Sequence, residues 1–164
     1  MEVYLIRHGI AAERGTYADD DLRPLVAEGR EKTTQVAKRL SKMGVSFDLI
    51  LTSPLVRAQE TAAILHKQGL SGRLEVFPPL GPSGEISAWL DWYLVNSPQT
   101  VALVGHQPDL GNWTEILVTG EIRDQIILKK AGIIGIKVPA MQNIIGNCQL
   151  FLLTSPKWFL TNYD

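Results

Sequence analysis

The sequence predicts an α/β protein: a single three-layer α/β/α domain over residues 1–164, with a mostly parallel central sheet and an antiparallel edge. Three observations predict it. Apolar, β-prone runs at Val3 to Ile6, Phe47 to Leu51 and Thr100 to Val104 are each followed by a stretch with helical apolar spacing, the alternation that a parallel sheet requires. Two later runs, Gly132 to Val138 and Cys148 to Leu153, are joined through Pro139 to Asn147, a connection for which an antiparallel pair is natural. The length of 164 residues suits one domain able to bury a core without disulfides or a structural metal.

In chain order, Val3, Tyr4, Leu5 and Ile6 form the first strand, which ends in Arg7, His8 and Gly9. Gly9 is expected to let the backbone turn sharply and approach a ligand closely. Ala11 to Pro24 is a polar loop over the strand end, where Arg23 is a candidate partner for Asp20. Its triplet Asp19 to Asp21 reads as solvated carboxylates in preference to a metal site. Leu25, Thr33, Val36, Ala37, Leu40 and Met43 mark a helix closed by Gly44. Phe47 to Leu51 then runs into Thr52-Ser53-Pro54, where Ser53 is expected to cap a helix beginning at Pro54 and buried through Leu55, Ala58, Ala62 and Leu65. Arg57 falls one turn into that helix, off the buried stripe; alone it reads equally as a surface arginine or a partner for Glu60.

Leu74 to Phe77 is a short strand, and the turn-rich stretch to Gly84 leads to a helix carrying Ile86, Trp89, Leu90, Tyr93 and Leu94, with Ser83 as its candidate cap. Glu85 stands at that junction, either exposed for chemistry or favoured there by the helix dipole. Thr100 to Val104 ends in Gly105-His106-Gln107-Pro108, with Pro108 expected at the first position of a helix buried through Leu110, Trp113, Ile116 and Leu117. Residues 121–130 are compatible with a short helix or a loop. Trp158, Phe159 and Tyr163 suggest that the tail docks on the body.

Composition excludes several classes of function. With 16 Lys+Arg against 17 Asp+Glu the net charge is -1, so there is no global basic field for nucleic acid. The single cysteine, Cys148, rules out an intramolecular disulfide and reads as a buried, inert thiol. Neither a leader peptide nor a membrane-length apolar run is evident, so a cytoplasmic protein without membrane partners is expected.

If the three strands are parallel, Arg7, His8, Arg57 and His106 meet at one carboxyl edge of the sheet, where open α/β sheets bind their ligands. Such a cluster repels itself unless an anion fills it, and two guanidinium forks fit phosphoryl oxygens. Zinc is disfavoured: His66 lies far along its helix, no HExxH or cysteine pair is present, and two arginines would face the dication. No metal and no cofactor is expected.

The blocks Leu5-Ile6-Arg7-His8-Gly9, Thr52-Ser53-Pro54-Leu55-Val56-Arg57-Ala58-Gln59-Glu60-Thr61-Ala62 and Val104-Gly105-His106 resemble, in order, those of the histidine phosphatase superfamily, also called the phosphoglycerate mutase-like fold. The short length, Asp20 to Leu25 and Val104 to Leu110 look most like the small SixA-type protein-histidine phosphatases. The resemblance implies a hydrolase in which His8 is the nucleophile and Arg7, Arg57 and His106 hold the phosphoryl oxygens. His106 would do this best when protonated. It further implies a phosphohistidine-bearing phosphotransfer or signalling protein as substrate. The alternatives are a phosphatase of small phosphate esters and a non-catalytic phosphoprotein-binding module, though binding alone needs no nucleophile. Relatives often carry a threonine where Val26 stands, a helix cap lost here. Larger members use a carboxylate from the middle region as proton donor, for which Glu85 is the candidate.

Overall fold

The sheet is built from the inside outward in the computed structural model, which describes residues 1–140 and 143–160. Its strands are β1 (Glu2–Arg7), β2 (Leu49–Thr52), β3 (Leu74–Val76), β4 (Thr100–Gly105), β5 (Ile133–Lys137) and β6 (Gln149–Thr154), in the order β3-β2-β4-β1-β5-β6. The first four in sequence run parallel, β5 pairs antiparallel to β1, and β6 antiparallel to β5. Central β4 is covered on both faces, and Val101 to Val104 are fully buried, as a near-continuous apolar run requires. The mixed sheet and its flanking helices form the α/β architecture expected from the alternation of strand and helix patterns.

Period-2 alternation divides the core into two layers. Val3, Leu5, Leu49, Leu51, Val101 and Leu103 face α3 (Ile86–Asn96) and α4 (Asp109–Thr119). Ile6, Ile50, Ala102 and Val104 face α1 (Ala27–Lys42) and α2 (Val56–Lys67). The tail helix α5 (Lys157–Leu160) docks beside α1 through Phe159 and Leu160, whereas Trp158 is exposed and Tyr163 lies outside the described residues. Cys148 is buried, and burial pushes its thiol up to about 11, an unreactive state.

Several helix starts differ from the sequence pattern, each by a few residues. Helix α2 begins at Val56, and the stretch before it keeps Leu55 extended. Helix α4 begins after Pro108, and α3 begins at Ile86 without Ser83, whose own φ is +62°. Helix α1 starts at Ala27, so Leu25 instead buries itself in an isolated bridge to Ala11, and Val26 at the N-cap offers no side-chain cap. Leu94 is exposed, outside the buried face of α3. Residues 121–130 form a loop without helix.

Helix α1 fixes the loop that follows β1. Val26 N–H donates to Ile10 O, and a Cβ on Gly29 would lie 2.0 Å from that same oxygen. At Gly9 a Cβ would lie 2.4 Å from Thr33 Oγ1, so Gly9 is required by packing on α1, a different reason from the ligand approach expected of it. Alanine normally outperforms glycine within a helix by about 0.5–1 kcal/mol. At Gly29 the sign should reverse, because backbone must move: Gly29→Ala is expected to lower stability by about 1–3 kcal/mol, read as a lower urea midpoint. A midpoint equal to or above that of the parent would show that the loop yields freely.

Candidate active site

Sheet register brings the two histidines together. β1 and β4 are neighbours, His8 N–H donates to Gly105 O at 3.0 Å, and the His8 and His106 rings lie 5.1 Å apart between centroids. His8 Nδ1 is 2.7 Å from Gly9 O, which can only accept, so Nδ1 carries the hydrogen and Nε2 keeps its lone pair. The His8 loop is tied to α2: Gly9 N–H donates to Thr61 Oγ1 at 3.0 Å, and that hydroxyl donates to Arg57 O at 2.8 Å.

The same helix carries Arg57, which is only 3% exposed although it lies off the apolar stripe. Glu60 is not its partner, since that carboxylate accepts from Leu25 N–H and Arg30. Arg57 instead donates through Nη1 to Asp20 O at 2.8 Å and through Nη2 to Asp20 Oδ2 at 3.2 Å. Arg23 grips the same carboxylate, with Nε 2.7 Å from Oδ1 as the sequence suggested, and reaches Ala12 O through Nη1. Asp19 accepts from Asp21 N–H. Within the acidic triplet, then, Asp20 orients two guanidinium groups. The Arg23 hydrogen bond, joined by the Arg23 and Arg57 charges, holds the Asp20 carboxyl below its usual range.

Arg7 is oriented from the other side of the sheet edge. Its Nη1 donates to Leu128 O at 2.7 Å. The loop bearing Leu128 is held by Gln107, which donates to Ile126 O and accepts from Leu128 N–H, and by the buried Glu115. That carboxylate accepts from the backbone N–H groups of Arg123, Asp124, Gln125 and Ile126, which keep it ionised well below the normal range. The buried Nε atoms of Arg7 and Arg57 have no partner among the described residues.

Arg7, His8, Arg57 and His106 line one cleft of about 470 Å³. Burial first, then the neighbouring His106, lowers His8 to about 3; burial, then Arg57 and Arg7, lowers His106 to about 4. At neutral pH His8 is therefore a neutral imidazole with an available lone pair. The free site also holds His106 neutral, whereas the sequence reading has it act protonated. Ser53, expected only as a helix cap, lies with Oγ 2.7 Å from His106 Nε2 and accepts from Leu55 N–H. Glu85 does not join the group: it is exposed at the N-cap of α3 and does not line the cleft. Asp109, at the start of α4, does line it, and burial raises its carboxyl pKa against the opposing hydrogen bond from Ser83 N–H. Sequence reasoning missed Asp109, and its only signal was a carboxylate three residues past His106.

Residues 3–77 match the model of the histidine phosphatase superfamily (branch 1). An uncharacterised protein of Picosynechococcus sp. is 47% identical over 165 residues, covering 98% of this chain and 99% of its own length. The phosphohistidine phosphatase SixA of Escherichia coli K12 is 32% identical over 128 residues, 74% of this chain and 76% of that protein. The solved structure of the protein histidine phosphatase SixA complexed with tungstate is similar with a TM-score of 0.82 and 27% identity, over 96% of this chain and 98% of that one.

The two lowered histidines make folding pH-dependent. An unfolded histidine titrates near 6.5, so the unfolded chain binds protons that the folded site refuses. Stability is intact above pH 6.5 and declines as the pH falls toward about 4 and then about 3, the folded values of His106 and His8. Between pH 7 and 4.5, His8→Ala should lose about 2 kcal/mol less stability than the parent, measured by urea unfolding at both values. An identical loss in the variant would mean that His8 titrates normally.

Proposed function

The chain belongs to the histidine phosphatase superfamily, and from that premise we propose that it is a phosphohistidine phosphatase acting on a phosphotransfer or signalling protein. The observation that carries the reading is the pairing of a neutral His8, its Nε2 lone pair available, with Arg7 and Arg57, whose Nε donors have no partner among the described residues. In the proposed reaction His8 Nε2 forms a bond to phosphorus while the bond from phosphorus to the substrate imidazole breaks, and the departing imidazole takes a proton from solvent water in the open cleft. Water then attacks the phosphorylated His8, releasing inorganic phosphate and restoring the neutral ring. Arg7 and Arg57 neutralise the equatorial oxygens throughout, which supplies the stabilisation that phosphoryl transfer needs without a metal ion. His106 donates to the same oxygens once the arriving dianion has restored its proton.

Similarity to SixA supports the phosphohistidine substrate, and the tungstate complex of that relative shows a tetrahedral oxyanion to be an accepted ligand there. A second reading, a phosphatase of small esters, is favoured by one observation, the raised carboxyl of Asp109 in the cleft. An alkoxide leaving group needs a proton donor, and imidazole needs far less help.

Turnover of a phosphohistidine-bearing phosphotransfer domain, beside a panel of phosphate esters and with chelator present, tests the assignment. Selective loss of phosphohistidine is expected. Preference for an ester, together with its loss in Asp109→Asn, would establish the second reading, and no turnover at all would favour a binding module. His8→Ala should abolish turnover and the acid-labile phosphoenzyme while remaining folded. Arg57→Ala should slow phosphoryl transfer by about 10²-fold or more; an unchanged single-turnover rate would remove Arg57 from the site.

A further inference from the structure

The cleft holds more positive charge than a phosphoryl group requires. Arg7 is committed to Leu128 O and the phosphoryl position, and Arg57 and Arg23 share Asp20. Two further cations line the same cleft, Arg14 from the loop after β1 and Lys130 from the loop before β5. Neither makes a hydrogen bond or an ion pair among the described residues, although Glu13 and Asp109 line the cleft as well. Lys130 is partly buried, and its ammonium pKa is lowered by burial first and then by Arg7, Arg23, Arg57 and Arg14.

Lys130 is also firmly placed. It lies two residues after Leu128, in the loop that Glu115 and Gln107 hold by its backbone, and the next residue, Ala131, donates its N–H to the carbonyls of Arg7 and His8. A long, solvated lysine would ordinarily swing away from four guanidinium groups to lower their mutual repulsion. A lysine that lines the cleft beside them, partly buried and without an ion pair among the described residues, is arranged for an anion that arrives with the ligand.

We infer that Lys130 and Arg14 form a second anion subsite at the mouth of the cleft, which takes an acidic side chain flanking the phosphohistidine of the substrate protein. The inference rests on the phosphohistidine reading for its substrate, but the subsite itself does not depend on which phosphoryl bond is broken. Its chemistry is that of carboxylate recognition: an ammonium and a guanidinium meet a second negative group while Arg7, Arg57 and His106 hold the first.

The test compares kcat/KM for phosphohistidine peptides flanked by aspartate with that for the same peptides flanked by asparagine, at low and at raised salt. The expected result is a preference of at least tenfold for the acidic peptide that shrinks with salt. In Lys130→Met this ratio should fall close to one, and Lys130→Arg should retain most of it. Equal rates on the two peptides, or a preference that survives Lys130→Met, would overturn the subsite. The ester pair phosphoglycolate and ethyl phosphate, measured in parallel, separates the two claims. If only esters turn over, the phosphohistidine reading fails, and the subsite then stands or falls on a Lys130-dependent preference for phosphoglycolate.

Discussion

Four guanidinium groups, an ammonium and two imidazoles line one cleft at the end of a parallel sheet, and the repulsion among them is the constraint on which the surrounding structure depends. Each answer to it is a different piece of chemistry. The imidazoles answer by staying neutral, since burial and the arginine charges make their protonated forms unfavourable. Arg57 and Arg23 answer by sharing the carboxylate of Asp20, and Arg7 by donating to a backbone carbonyl that carries a partial negative charge but no full one. Full neutralisation would leave nothing for a phosphoryl group to gain. Partial neutralisation orients the forks and leaves their field in place.

That compromise explains the investment in buried polar contacts away from the cleft. Glu115 does not line the cleft, yet it holds four consecutive backbone N–H groups of a loop without regular structure. The Leu128 carbonyl that aims Arg7 is placed by that loop and by Gln107, the residue next to His106. The donors of this irregular backbone are thereby satisfied by a single buried carboxylate.

How much of this was legible in the sequence depended on whether the information was local. The strand runs and the four residues Arg7, His8, Arg57 and His106 that meet in the cleft were legible, because each block joins a strand to its own cleft residue within a few positions; the order of the strands around the sheet was not. Pairings across elements were not. Ser53 carries a valid capping signature, but Leu55 stays extended, and the hydroxyl lies against His106 on the neighbouring strand's loop. Glu85 was the only candidate proton donor, and Asp109, also a carboxylate at the start of a helix, was passed over. What separates them is topology. Asp109 follows β4, the strand beside β1, whereas the chain entering α3 touches the cleft at Pro82 and Ser83 and has turned to solvent by Glu85.

The two histidines, alike in sequence context, are made unequal by their hydrogen bonds, and the proposed chemistry uses that inequality. His8 already donates from Nδ1 to a carbonyl, so its one lone pair lies at Nε2, and a proton there would destroy the nucleophile. His106 faces a hydroxyl, a group that donates to a neutral ring nitrogen and can turn to accept from a protonated one. His106 can therefore take a second proton and keep its contact with Ser53, whereas the only free nitrogen of His8 is its lone pair. In the proposed reaction a phosphoryl dianion between Arg7 and Arg57 would offset the positive field that keeps both rings neutral, and His106 is the ring able to take up the proton. Once charged, His106 acts on His8 as the second-largest influence on that ring, and holds the nucleophile neutral. On the proposed reading, anion binding and proton uptake would be coupled, charging one imidazole and leaving the other neutral.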